Sequence, residues 1–246
     1  MLDARGPGVT AGLAVLLVIG AAPAAAARLP IAPVVQQTHV WCWVAVGEMI
    51  FRHAGVRGVN PVGNFQCGIV GLLAAGTPAS ACATQCELCA VPAGSAAAIR
   101  DMLEDYPRRV AAVTGRPTPR IRAHIVRRAL IPGEVVDEID RTRPIVAGIS
   151  PAGRPAGGSA HVALIVGYEA GGATLIVNDP YPFPGSQNPY FAAGGTPTQH
   201  PGAYRIPYHA FQRGLDWAES FTVRIDPAAP GDARHGPPPP PAARPR

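Results

Sequence analysis

One cysteine stands apart from the other four in this 246-residue chain. Cys67, Cys82, Cys86 and Cys89 fall within 23 residues, whereas Cys42 is isolated in Gln36-Gln37-Thr38-His39-Val40-Trp41-Cys42-Trp43. The residues after Cys42 carry Val44, Val46, Met49 and Ile50 at helical spacing, so a helix is expected over 42–54 with Cys42 at its start. The N-terminus of a helix favours an anion and hence thiolate over thiol; a buried structural cysteine is the plain alternative. A thiolate nucleophile needs an imidazole to activate it and to protonate the leaving group. Of seven histidines, His161 is the distinctive one, because it opens the apolar run HVALIVGY straight after the small, flexible PAGGSA. Without Cys42 it reads equally well as a hydrogen-bonded histidine at a strand end. A third group must hold the ring in one tautomer. The next apolar run ends in Val177-Asn178-Asp179-Pro180, and an antiparallel partner returns that end beside the start of the histidine strand. Asp179 is the expected orienter and Asn178 its competitor; an Asp-Pro turn cap is the ordinary reading of the pair. Acyl transfer also needs oxyanion donors, for which the Cys42 N–H and a side chain from Gln36 or Gln37 are available.

The remaining cysteines depend on compartment. Arg5, the apolar run AGLAVLLVIG at 11–20 and the Ala-rich segment to Ala27 form a signal-peptide pattern over 1–27. The apolar run is shorter than a membrane span needs, so cleavage is expected over an uncleaved anchor, leaving a secreted protein with no membrane association. In an oxidising compartment Cys67, Cys82, Cys86 and Cys89 are disulfide candidates with three possible pairings, and Cys42 is the odd thiol. Their spacing is also ligand-like for zinc, but export argues for disulfides and no metal is expected. Cys86-Glu87-Leu88-Cys89 has the form of a redox motif without a strand before it and a helix after it.

The elements that position these groups follow from periodicity. Residues 56–95 are loop-rich. A helix is expected over 95–105, capped by Ser95 and ended by Pro107, and a short amphipathic helix over 133–141. Strands are expected at 120–126, 144–149, 161–168, 173–178 and 219–225, with 180–202 a surface loop. The result is an α+β chain, a helical N-terminal half against an antiparallel sheet half, with a cleft between them. From 227 the chain is a Pro-rich tail with too little apolar content to fold. Three units are therefore expected: a signal peptide at 1–27, one domain at 28–226, and a disordered tail at 227–246. All 21 basic residues are Arg, which excludes lysine nucleophiles. The net charge of +5 is dispersed, which argues against nucleic acid as a partner.

The segment Gln36 to Trp43, with Val44-Ala45-Val46 after it, resembles the nucleophile segment of papain-like cysteine peptidases, in which a Gln stands six residues before the Cys. The double Gln and the Trp on each side of the Cys resemble a bacterial branch that includes secreted effector proteases of plant pathogens; the bacteriocin-processing double-glycine peptidases are more distant relatives. Pro144-Ile145-Val146, Ala160-His161-Val162 and Val177-Asn178-Asp179-Pro180 follow in the clan's order, and the stretch from Gln66-Cys67 to Cys89 resembles the branch's cysteine-bearing insert. The resemblance implies a papain-like fold over most of 31–226. It implies peptide-bond hydrolysis by Cys42, His161 and Asp179 with Gln36 in the oxyanion hole. It implies a protein or peptide substrate, no cofactor and a monomer. A transglutaminase or amidase would share the same acyl-thioenzyme chemistry, and a non-catalytic binding or toxin module on the same fold is the reading from another class. The gap of 119 residues from Cys42 to His161 favours the peptidase.

Overall fold

A computed structural model describes residues 25–60, 63–77, 80–151 and 161–228. The residues expected as signal peptide up to 24, the segment 152–160 that contains PAGGSA, and the expected tail from 229 lie outside the described residues.

Helix α1 (Cys42–His53) begins at the isolated cysteine. Every residue from Val44 to Phe51 is buried, so the helix is enclosed on all sides. It packs against the histidine-bearing strand and the helices that follow. Gly47 lets α1 lie close to its neighbour: a Cβ there would stand 2.8 Å from Sδ of Met102.

Helix α2 (Phe65–Ala74) lies in the stretch expected to be loop. Its two internal glycines hide the helix in the sequence, since each lowers helix propensity. Asn64 caps it by accepting from the Cys67 N–H at 3.0 Å, and burial of Phe65 to Gly71 stabilises the rest. Helix α3 (Ala96–Thr114) runs through Pro107 rather than stopping at it. Met102, Leu103, Tyr106 and Val110 continue one buried face across the proline, and that packing outweighs the lost backbone bond, a cost of roughly 3 kcal/mol. The helix ends at Gly115, whose φ of 64° suits a residue without a side chain. Helix α4 (Pro132–Asp140) matches the expected amphipathic helix.

The strands are β1 (Ala27–Arg28), β2 (Arg120–Val126), β3 (Ile145–Ile149), β4 (His161–Glu169), β5 (Thr174–Asn178), β6 (Thr196–Pro197), β7 (Ala203–Pro207) and β8 (Glu219–Asp226). They form one antiparallel sheet in the order β2-β8-β3-β4-β5-β7-β6, with β1 beside β4. The expected surface loop 180–202 holds a short helix α5 (Pro189–Ala192) as well as β6, and α6 (Tyr208–Gly214) follows β7. The chain is thus α+β, with helices α1 to α3 preceding most of an antiparallel sheet.

Strand β4 is the centre of the arrangement. All residues from His161 to Tyr168 are buried, consistent with an uninterrupted apolar run. β3 pairs with its first half, from Ile149 opposite His161 to Ile145 opposite Ile165. β1 takes the next stretch, with Arg28 opposite Gly167 and Ala27 opposite Tyr168. The Ala25 carbonyl also accepts from Gly171 N–H at 2.8 Å. The last residues of the expected signal segment, Ala25 to Ala27, therefore belong to the folded body.

Candidate active site

Three chain segments converge at the start of β4. The first is α1. Cys42 is its first residue, so its N–H has no carbonyl one turn earlier to bond within the helix. The side chain is half-buried, and Cys42 is the free thiol among the cysteines. The other four form the pairs Cys67–Cys86 and Cys82–Cys89, with Cα separations of 5.3 and 5.6 Å, one of the three pairings the sequence left open. Among the described residues no cluster of three or more His, Cys, Asp or Glu could hold a metal ion.

The second segment is the β4–β5 hairpin. His161 at the start of β4 and Asp179 just past the end of β5 meet with Nε2 and Oδ1 2.7 Å apart. Both are buried. Asn178, the competing orienter, points elsewhere and donates to the Ile31 carbonyl at 2.9 Å. Burial pulls the His161 pKa down, but the Asp179 charge and hydrogen bond, then the hydrogen bond and charge of Cys42, outweigh it and raise the pKa to about 10. The ring therefore carries its proton at neutral pH. Since Nε2 faces Asp179, Nδ1 is the nitrogen left for the Cys42 sulfur. Tyr181 and Phe183 stand edge-on to the ring at 6.2 and 6.1 Å, which keeps its surroundings apolar.

Asp179 is fully engaged. Its Oδ1 also accepts from Tyr181 N–H at 2.8 Å, and its Oδ2 accepts from the Tyr190 hydroxyl at 2.8 Å. Tyr190 is fully buried and stacked on Tyr204, with centroids 4.1 Å apart. Burial, then the Asp179 charge, then the hydrogen bond to it push the Tyr190 pKa well above the ordinary value, so the hydroxyl keeps its proton and donates it. The sequence offered no sign of Tyr190, which sits in a segment expected to be loop.

The third segment leads into α1. Gln36 is buried, and its Nε2 donates to the Thr38 carbonyl at 2.7 Å, which uses one of two N–H bonds. Its backbone N–H donates to the Pro180 carbonyl at 2.9 Å, which ties it to the residue after Asp179. Gln37, by contrast, is exposed. The two tryptophans beside the cysteine are anchored in the disulfide-bonded insert: Trp41 Nε1 donates to the Cys89 carbonyl at 3.0 Å and Trp43 Nε1 to the Val91 carbonyl at 3.3 Å. His53 lies at the far end of α1, and His39 is exposed.

A half-buried thiol at a helix start, beside a buried imidazole paired with a carboxylate, is an arrangement for nucleophilic acyl transfer. The chain matches the model of the Peptidase_C39 like family over residues 28–193 and belongs to that family. It is a cysteine-type peptidase, a hydrolase of peptide bonds, of the papain-like kind. The match covers the peptidase family as a whole and does not single out the branch of plant-pathogen effector proteases. No curated protein matches the sequence. Among solved structures, the chain is similar to a double glycine motif protease from an AMS/PCAT transporter in complex with the leader peptide. The identity is 13%, the TM-score is 0.39, and the alignment covers 84% of this chain and 98% of that one.

Proposed function

We propose that this peptidase works through Cys42, His161 and Asp179, with Gln36 and the Cys42 N–H as oxyanion donors, on a protein or peptide substrate. The observation that carries the reading is the His161 ring, buried with Nε2 2.7 Å from the Asp179 carboxylate and its other nitrogen left for the Cys42 sulfur, with the Asp179 charge and hydrogen bond raising its proton affinity. The proton on His161 is the one that the leaving amine receives. Cys42 attacks the scissile carbonyl, the C–S bond forms, and the carbonyl oxygen becomes an oxyanion facing Gln36 and the Cys42 N–H. On collapse the C–N bond breaks and His161 gives its proton to the departing amine. Water, deprotonated by the now neutral His161, then hydrolyses the thioester and frees Cys42. Asp179 holds the ring in orientation through both half-reactions.

We place the protein outside the cytoplasm. Two disulfides among four cysteines favour an oxidising compartment, and no helix of the described residues is long and apolar enough to cross a membrane. Because Ala27 pairs with β4 and the Ala25 carbonyl accepts from Gly171 N–H in the turn after that strand, removal of a signal peptide at or before Ala24 leaves β1 whole.

The test is labelling with an iodoacetamide probe alongside turnover of a fluorogenic peptide selected from a mixed-sequence library by the wild-type protein. Cys42→Ala is expected to fold, to lose the label and to lose all turnover; His161→Ala is expected to fold and lose turnover. A fully active Cys42→Ala protein would falsify the assignment. Mass mapping of the exported, non-reduced protein is expected to show Cys42 unpaired.

A further inference from the structure

Gln66 is the most connected buried polar side chain that the mechanism leaves unused. It is 1% exposed, on the first turn of α2. Its Oε1 accepts from the Gln37 N–H at 3.0 Å, and its Nε2 donates to the Val35 carbonyl at 2.9 Å. These two backbone groups flank Gln36, so the amide grips the chain as a neighbouring strand would. The same Nε2 donates to Oε2 of Glu48 at 3.0 Å. Glu48 is itself buried on α1, six residues beyond Cys42, and its other oxygen is held by Arg52 at 2.7 Å. The chain Glu48–Gln66 thus bridges the helix that carries the nucleophile and the segment that carries Gln36. The next residue, Cys67, fixes Gln66 from behind through its bond to Cys86.

We propose that Gln66 is a positioning residue for the oxyanion donor, setting the place of Gln36 relative to Cys42; this rests on the peptidase reading with Gln36 in the oxyanion hole. An amide suits the task because it offers a donor and an acceptor together in one plane. A donor displaced by about 1 Å from a developing oxyanion costs on the order of 10²-fold in rate. Ground-state binding is not affected, since the oxyanion exists only along the reaction path.

The test is a double-mutant cycle with three readouts: kcat, KM on the fluorogenic library peptide, and the rate of Cys42 alkylation by iodoacetamide. Alkylation is a displacement at carbon that builds no oxyanion, so it reports the thiol and the fold without the oxyanion hole. Gln66→Met preserves side-chain length and removes all three hydrogen bonds. It is expected to lower kcat by about 10- to 100-fold with KM and the alkylation rate unchanged. In a Gln36→Ala background the same substitution is expected to cost less than 2-fold further, because the group it positions is gone. Gln66→Asn keeps the amide, with its donor and its acceptor, one methylene short of its partners and is expected to fall between wild type and Gln66→Met, which covers the case of Gln66→Met failing to fold. Equal losses in both backgrounds, a parallel loss of alkylation, or unchanged kcat in Gln66→Met each overturn the proposal. Gln36→Ala is measured first: unchanged kcat there refutes the oxyanion assignment, and the proposal with it, before Gln66 is touched.

Discussion

Replacing Asp179 by Asn changes a charge and almost nothing in shape. The Asn oxygen can still accept from His161 and from the Tyr181 N–H, and the Tyr190 hydroxyl can rotate to accept from the new amide. What disappears is the carboxylate 2.7 Å from the ring nitrogen. Two unit charges about 4 Å apart, centre to centre, at an effective dielectric near 20 interact by about 4 kcal/mol. At about 1.4 kcal/mol per tenfold, this corresponds to roughly three pH units of proton affinity. The His161 pKa, about 10 with Asp179 in place, is therefore expected to fall to around 7 or lower in the variant, since burial then acts against a weaker opponent.

Two measurements follow the change. Two-bond 1H–15N spectra of histidine-labelled protein give the ring titration directly. The pH profile of kcat/KM on the library peptide gives the alkaline limb, at which the free enzyme loses its general acid. Wild type is expected to hold its rate until His161 titrates at about 10, and Asp179→Asn to lose it near neutrality. Stability moves with the same proton. The folded value lies above the ordinary 6.5, so the contribution is fully present below 6.5 and is lost as pH rises through about 10. Over that window the melting temperature of wild type is expected to fall more than that of Asp179→Asn. A ring midpoint that stays near 10 in the variant would refute the reasoning, because the proton would then be held by something other than this charge.

Two further perturbations test the frame around the site. Tyr190→Phe keeps the ring stack on Tyr204 and removes the hydroxyl that donates to Asp179 Oδ2. Leaving a buried carboxylate oxygen one donor short costs about 1–2 kcal/mol of folding stability, so the melting temperature is expected to fall, and kcat is expected to drop with KM steady because Asp179 is held less firmly; an unaltered kcat would show that the bond plays no part in orientation. Gly167→Ala would put a Cβ 2.6 Å from the Ala27 carbonyl oxygen and 3.0 Å from Arg28 Cα, both backbone atoms. That overpacking is expected to cost about 1–3 kcal/mol and to expose β1 to limited proteolysis; a melting temperature and a digestion pattern identical to wild type would contradict the pairing of β1 with β4.

What could be read from the residues divides by the reach of the interaction. His161 and Asp179 are 18 positions apart on consecutive strands, and the hairpin signal between them is local, so their meeting followed from a turn and strand alternation. Cys42 at a helix start followed from the apolar spacing after it. Gln66 was singled out only as the neighbour of Cys67: its two backbone bonds reach 29 and 31 residues back to an irregular segment, and no periodicity records such a grip. Tyr190 lies between prolines and glycines that mark a loop, and only the fold turns its hydroxyl inward. Pro107 signals a stop in the sequence because its local cost is fixed, whereas the packing of Tyr106 and Val110 that outweighs it is tertiary.

The bonds around the site also say from which side chemistry can be approached. His161, Asp179 and Gln36 are all buried, and only Cys42 is partly open. On the proposed mechanism a substrate carbonyl would reach the sulfur from the partly open Cys42 side, with the proposed proton donor His161 and oxyanion donor Gln36 already fixed. Part of the fixing is backbone work: Gln36 N–H on the Pro180 carbonyl and Asp179 N–H on the Gly202 carbonyl, at 2.9 and 2.7 Å, add to the side-chain bonds from Gln66 and Tyr190. Donors fixed before the reaction need no rearrangement when the oxyanion forms, and excluding water from the His161–Asp179 pair strengthens each charge that acts there.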